Sequence, residues 1–560
     1  MACSAVLGSA LAQNADLVLR NGKIVTLNDS APVVQALAVS GDRIIAVGSE
    51  TDSRRWIGSE TKVIDLHGML AIPGFIEGHG HFLGLGEFRL GLDLREAADW
   101  DDIVAQVARA ARNAQPGEWI IGRGWHQSKW RRAPDPNVEG FPLHAALSRV
   151  SPKNPVLLTH ASGHAGFANA VAMAAASISR KTPNPPGGEI LKDQRGNPTG
   201  LLRETAEELV SRAYAEWRTR RTPTEQLVEF RRTIKLAADE CLSKGITSFE
   251  DAGSSLETVD VLREMARKNE LPLRLWVMLR GSNDELGPNL DRYRITGEGG
   301  SHLTVRAIKH YMDGALGSRG AWLLEPYADK PDSRGLNTED PAEIRKAAEL
   351  AIQHGYQLCV HAIGDRANRE TLDLYAQVFR EHPERKDLRW RIEHAQHLNP
   401  ADIPRFARLG VIAAMQGIHA TSDAPFVIAR LGARRAEEGA YVWQKLMKSG
   451  AVIANGTDAP VEDVSPLASF YASVSRKLKD GSVFYPDQRM SREEALRSYT
   501  LNNAYAAFEE KLKGSLEPGK LADITVLSRD ILTVSEDDIV STGVVYTIVG
   551  GQIVYERKQP

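Results

Sequence analysis

The spacing of apolar positions changes character twice along the chain. Residues 16 to 66 carry short alternating runs, DLVLRNGKIVTL, VQALAVSGDRIIAVG and KVIDL, broken at Asn21-Gly22 and Gly41-Asp42. Alternation at period two predicts half-buried strands, and the breaks supply tight-turn chemistry. The far end repeats this pattern in LADITVLS and GVVYTIVGGQIVYE, with Gly550-Gly551 as a turn. We therefore expect residues 14–70 and 514–560 to form one composite β-sandwich, with GSLEPGK (514–520) as the return linker.

Between these ends, continuous Val, Ile and Leu runs alternate with helical stretches. After Ile72 to Phe82 come GITSFED, LRLWVML, TVRAIKHYMDG, QLCVHAIGD, LRWRIEHAQ, GVIAAMQGIH and AVIANGTDAP. Eight such runs predict an α/β fold, a (β/α)8 TIM barrel over residues 71–89 and 231–513, whose C-terminal strand ends form one face. Residues 90–230 are far more than one connection needs. They predict an inserted substrate-side or lid domain, with a helix over 98–114 and a hairpin in GGEILKDQRGNPTGLLRE turning at Asn-Pro.

Composition narrows the picture. The 560 residues are 42% hydrophobic and 25% charged, with a net charge of −3. That balance supplies no electrostatic reason for a nucleic-acid or anionic-membrane partner. No apolar stretch reaches spanning length. Three cysteines, none in a CxxC pair, make no disulfide framework. Residues 1–13, MACSAVLGSALAQ, resemble a truncated signal segment without a basic start, so periplasmic export and a cytoplasmic location both stay open. A homodimer is the default oligomer.

The chemistry lies at the ends of the predicted barrel strands. In IPGFIEGHGHF, His79 and His81 project to the same face of a strand, and neutral imidazole is a favoured ligand for zinc and its neighbours. His361 follows QLCV, His394 follows LRWRIE, Asp458 follows AVIANGT, and Lys309 ends TVRAIK. One histidine at a strand end is more often structural; four histidines and an aspartate at the same end of successive strands point to a metal site. A charged ammonium is no ligand, but a neutral Lys309 amine can add CO2 to form a carbamate able to bridge two metals. A divalent ion would acidify a water to hydroxide for attack on a carbonyl, and Asp458 is the candidate proton shuttle.

These residues sit in PGFIEGHGHF (73–82), SGHAGFAN (162–169), KHYMDGALGSRGA (309–321), HAIGDRAN (361–368), RIEHAQHL (391–398) and GTDAPVE (456–462). In that order they resemble the metal-dependent amidohydrolase superfamily, and within it the amidohydrolase-3 branch with its YtcJ-like proteins and N-substituted formamide deformylases. The resemblance implies a barrel with a composite sandwich and one or two divalent metals, usually zinc. It implies hydrolysis of non-peptide carbon–nitrogen bonds. On matching positions it implies His79, His81, His361 and His394 as ligands, Lys309 as a carboxylated bridge, and Asp458 as ligand and acid/base. The first motif reads EGHGH where many relatives have a Ser-His-Val-His version.

His164 and Trp125, in the insert, and Arg319, in a glycine-rich loop, are the substrate-binding candidates. The expected activity is hydrolysis of an amide-like bond in a small molecule. A deaminase, a cyclic amidase, an esterase or a lactonase would use the same site, and a catalytically silent binding scaffold is the reading of another class.

Overall fold

The computed structural model describes residues 14–127, 130–161, 165–185 and 188–558. The chain divides into two compact units, one running up to His81 and resuming at Asp239, the other Phe82–Ala238.

The first unit holds the barrel. Its strands, in chain order, are β1 (Phe75–Gly80), β2 (Ile246–Ser254), β3 (Arg274–Leu279), β4 (Leu303–Tyr311), β5 (Gln357–Ala362), β6 (Arg391–His394), β7 (Ile412–Gln416) and β8 (Ile453–Gly456). Each pairs in parallel with the next, as the eight apolar runs predict. The seam between β8 and β1 is spanned by a side chain. Asn503 donates to the Ile76 and Asn455 carbonyls at 2.6 and 2.8 Å and accepts from the Asn455 N–H at 3.0 Å. Gly78 makes this approach possible, since a Cβ there would lie 2.6 Å from the Asn455 carbonyl. On the β2 side, Gly80 leaves room for the Phe249 ring, which a Cβ would meet at 2.6 Å.

The helix before β5 shows how local sequence sets the strand ends. Asp340 caps Pro341–His354 by accepting from the Ala342 N–H, proline occupies the first turn, and Gly355 closes it at φ +70. These are the residue types that such termini favour. Five buried apolar residues of that helix pack toward the barrel side, and β5 follows at once.

The sandwich comes from both chain ends, as expected. One sheet orders Arg43–Gly48, Ala36–Ser40, Leu17–Arg20 and Lys62–Asp65. The other joins Lys23–Val25 and Leu70–Pro73 to Ile524–Leu527, Val544–Val549 and Gln552–Glu556. Leu17, Leu19, Leu37, Ile64, Ile524, Val526 and Ile548 form its shared core. The apolar run around Ile72 is divided rather than continuous. Leu70–Pro73 pairs with Ile524–Leu527, and the chain enters the barrel after Gly74, where a Cβ would strike the Thr247 hydroxyl.

The second unit contains the helix Trp100–Asn113 and a sheet ordered Gly188–Lys192, Pro198–Glu204, Ala165–Ala168, Val156–His160, Ile120–Trp125 and Leu92–Asp93. The hairpin forms, but its turn is centred on Asp193 to Gly196 and not on Asn-Pro. Asp193 Oδ1 accepts from the Arg195 and Asn197 N–H groups, and Gly196 takes φ +80, while Pro198 opens the return strand. Among the described residues, no helix is long and apolar enough to cross a membrane.

Candidate metal centre

Parallel pairing brings the chemical residues to one rim. His361 is in register with Tyr311 on one side and Glu393 on the other, and Ala362 with His394. The ring centroids of His361 and His394 lie 4.5 Å apart, those of His79 and His394 4.8 Å, and those of His79 and His81 5.9 Å. Asp458 Oδ1 stands 3.3 Å from His81 Nε2 and 3.6 Å from His79 Nε2. Lys309 Nζ is 4.7 Å from the Tyr311 ring, which also lies 5.2 Å from the His361 ring. The site thus gathers His79, His81, Lys309, His361, His394 and Asp458. His394 and Asp458 hold positive φ values of +75 and +58, a strain that persists only where the surroundings impose it.

Electrostatics keep His79, His361 and His394 neutral. Burial, reinforced by the Lys309 charge, pushes His79 down to about 4 and His361 down to about 3. Burial and the neighbouring histidines hold His394 well below the ordinary value. Burial alone would raise Asp458, but the facing imidazoles of His81, His79 and His394 hold it well below the carboxylate range. Neutral imidazole and ionised carboxylate are the ligand forms of both groups.

Beneath them lies a buried charge network. His79 Nδ1 meets Glu393 in a short hydrogen bond, and Arg391 grips Glu393 at 2.7 Å, Glu250 in a second short contact, and the Gly78 carbonyl at 2.6 Å. Burial would raise Glu393, yet Arg391 and His79 bring it down to about 2. His394 Nδ1 is held by Gln416 Oε1 at 2.8 Å. Both histidines are therefore fixed through Nδ1, the arrangement that orients a metal-binding imidazole. Glu393, Arg391 and Gln416 are not among the residues expected from sequence; alternation along LRWRIEH, which puts Arg391 and Glu393 on one face, was the available signal for two of them.

The test for a metal lies in what is left over. His79 Nε2, Lys309 Nζ, His361 Nε2, His419 Nε2 and Asp458 Oδ1 are all buried without a hydrogen-bond partner. Each such atom costs about 1–3 kcal/mol when unsatisfied, and five at one rim fit a divalent cation. Ligand atoms of His79, His81 and Asp458 lie within 4.8 Å of one another, and so do those of His394, His419 and Asp458. A third grouping, Glu349, Glu381 and His382, differs in kind, because the Arg345 guanidinium already binds both of its glutamates.

The substrate-binding candidates are placed less centrally. Trp125 is 1% exposed, and its indole N–H donates to the Leu158 carbonyl at 2.8 Å within a core with Trp100, Trp130 and Phe167. This is a packing role inside the second unit and corrects the expectation that its ring meets substrate. Arg319 is engaged by Asp329 at 2.8 and 3.2 Å, and Arg430 shares that carboxylate, so it braces its loop. His164 lies outside the described residues.

A parallel barrel with histidines, a lysine and an aspartate converging at the C-terminal rim is the architecture of a metal-dependent, amidohydrolase-type enzyme. The amidohydrolase family profile matches residues 62–555, and the chain belongs to that family. It is 33% identical to Protein LONG AFTER FAR-RED 3 of Arabidopsis thaliana, over 97% of this chain and 92% of that protein. It is 30% identical to the N-substituted formamide deformylase of Arthrobacter pascens, over 98% and 99%. Among solved structures, an uncharacterized metal-dependent hydrolase from Pyrococcus horikoshii superposes with a TM-score of 0.76 at 25% identity, covering 93% of this chain and 99% of that one.

Proposed function

We propose that the protein hydrolyses an amide-type carbon–nitrogen bond of a small molecule, with zinc held by His79, His81, His361, His394, Lys309 and Asp458. The observation that carries this reading is that four of these residues, His79, Lys309, His361 and Asp458, each bring a buried polar atom without a hydrogen-bond partner to one rim. The likeness to a formamide deformylase supports the bond type. A divalent ion at this rim supplies acidification of water and polarisation of the substrate carbonyl.

The protein's own residues do the rest. Glu393 and Gln416 hold the Nδ1 atoms of His79 and His394 and so aim Nε2 into the site. Asp458, ionised and buried, takes a proton from the attacking water and hands it to the leaving nitrogen. Lys309, 2% exposed and with no hydrogen-bond partner at Nζ, adds CO2: its ammonium gives up one proton, the amine attacks the carbon and a second proton leaves to solvent, giving an anionic carbamate.

The test is metal content by plasma mass spectrometry on untagged protein, followed by a screen of N-substituted amides. One or two equivalents of zinc, lost with activity on chelation, and release of an acid plus an amine support the proposal. Protein that stays metal-free on reconstitution overturns it, and release of ammonia alone would place the reaction among the deaminations.

A further inference from the structure

His419 belongs to none of the residues that the family pattern implies as ligands, yet it stands at the same rim. It lies two residues into the helix Gly417–Leu431 that leaves β7, and it is 7% exposed. Its Nε2 is buried without a partner. Its ring lies nearly parallel to that of His394, with an interplanar angle of 11° and centroids 6.3 Å apart. One ligand atom from each of His419, His394 and Asp458 falls within 4.8 Å of the others. Ligand atoms around a tetrahedral zinc stand about 3.3 Å apart, so a closure of roughly 1.5 Å at most would complete a site.

We propose that His419 is a metal ligand, and that with His394 and Asp458 it forms a second metal position beside that of His79, His81 and Asp458. Asp458 is common to both groups, and its unpartnered Oδ1 suits a bridging role. Gln416, which fixes His394 through Nδ1, directly precedes the helix that carries His419, so one segment sets both rings. The inference rests on the metal-dependent reading above and adds a ligand to it.

The experiment measures zinc stoichiometry and affinity by chelator competition in the full-length protein and in His419→Asn. Loss of one equivalent, or weakening of one site by more than about 100-fold, is expected, because a residue that only orients a ligand costs about 10–100-fold. Unchanged stoichiometry with a smaller loss overturns the proposal. Should the variant not fold, zinc anomalous density in crystals of the unaltered protein decides: a peak within about 2.3 Å of His419 Nε2 supports ligation, and zinc elsewhere at the rim without one refutes it. Protein that takes up no zinc at all would instead break the metal-dependent reading itself.

Discussion

Two buried polar clusters in the same unit differ in one respect, satisfaction. At the junction of barrel and sandwich, Arg274 and Asp523 form a two-pronged pair at 2.7 and 3.0 Å. Arg274 also donates to the Gly300 and Ser301 carbonyls, and Asp523 also accepts from the Gly550 N–H. Both residues are at most 4% exposed, and every polar atom is used. The rim cluster is partly open at His81, yet five of its buried atoms are left without hydrogen-bond partners. Burial penalises both clusters alike, so the difference marks which one is finished by the chain itself and which is built for something else. The first completes itself, and the second leaves donors for the ion proposed above.

Four substitutions sharpen or break that contrast. Asp458→Asn should lower turnover by about 10²–10⁴ while leaving folding intact, since general acid–base groups contribute on that scale; steady-state kinetics and circular dichroism read the two effects separately. An active variant would return Asp458 to the structural class. Arg391→Met strands Glu250 and Glu393 and should cost about 3–5 kcal/mol in urea unfolding, which would show that the network under the rim behaves as the finished cluster does.

Asp523→Asn should cost about 1.5–3 kcal/mol near neutral pH. Burial would raise the Asp523 carboxyl, but Arg274 and the Gly550 N–H outweigh it and hold it below its ordinary value. A lowered folded-state value means the contribution is complete above the unfolded value, about 3.9, and is lost as pH falls through the folded one. The gap between Asp523→Asn and the unaltered protein should therefore narrow in acid, and a constant gap would contradict the pairing. Arg319→Ala should change stability by under about 1 kcal/mol and leave KM unaltered; a raised KM would restore Arg319 as a substrate contact.

Much of the site was legible because its signals are local. His79, His81, Lys309, His361, His394 and Asp458 each end an apolar run, and a parallel barrel sends all such ends to one rim. Trp125 misled because a tryptophan beside a histidine reads alike whether its ring faces a core or a ligand. Only the Leu158 carbonyl above its indole N–H separates the two. The hairpin was found but its turn misplaced, since Asp193 competes for backbone N–H groups as effectively as Asn-Pro bends the chain.

The sequence by itself determined the eight strands, the sandwich made from both ends, and the residues that reach the rim, because hydrophobic period and strand-end position are properties of neighbours along the chain. Tertiary structure alone decided that Glu393 binds His79, that Asn503 spans the barrel seam, and that His419 stands with His394 and Asp458. Those contacts join segments distant in sequence, and register and barrel curvature, to which no local pattern is sensitive, set which side chains meet.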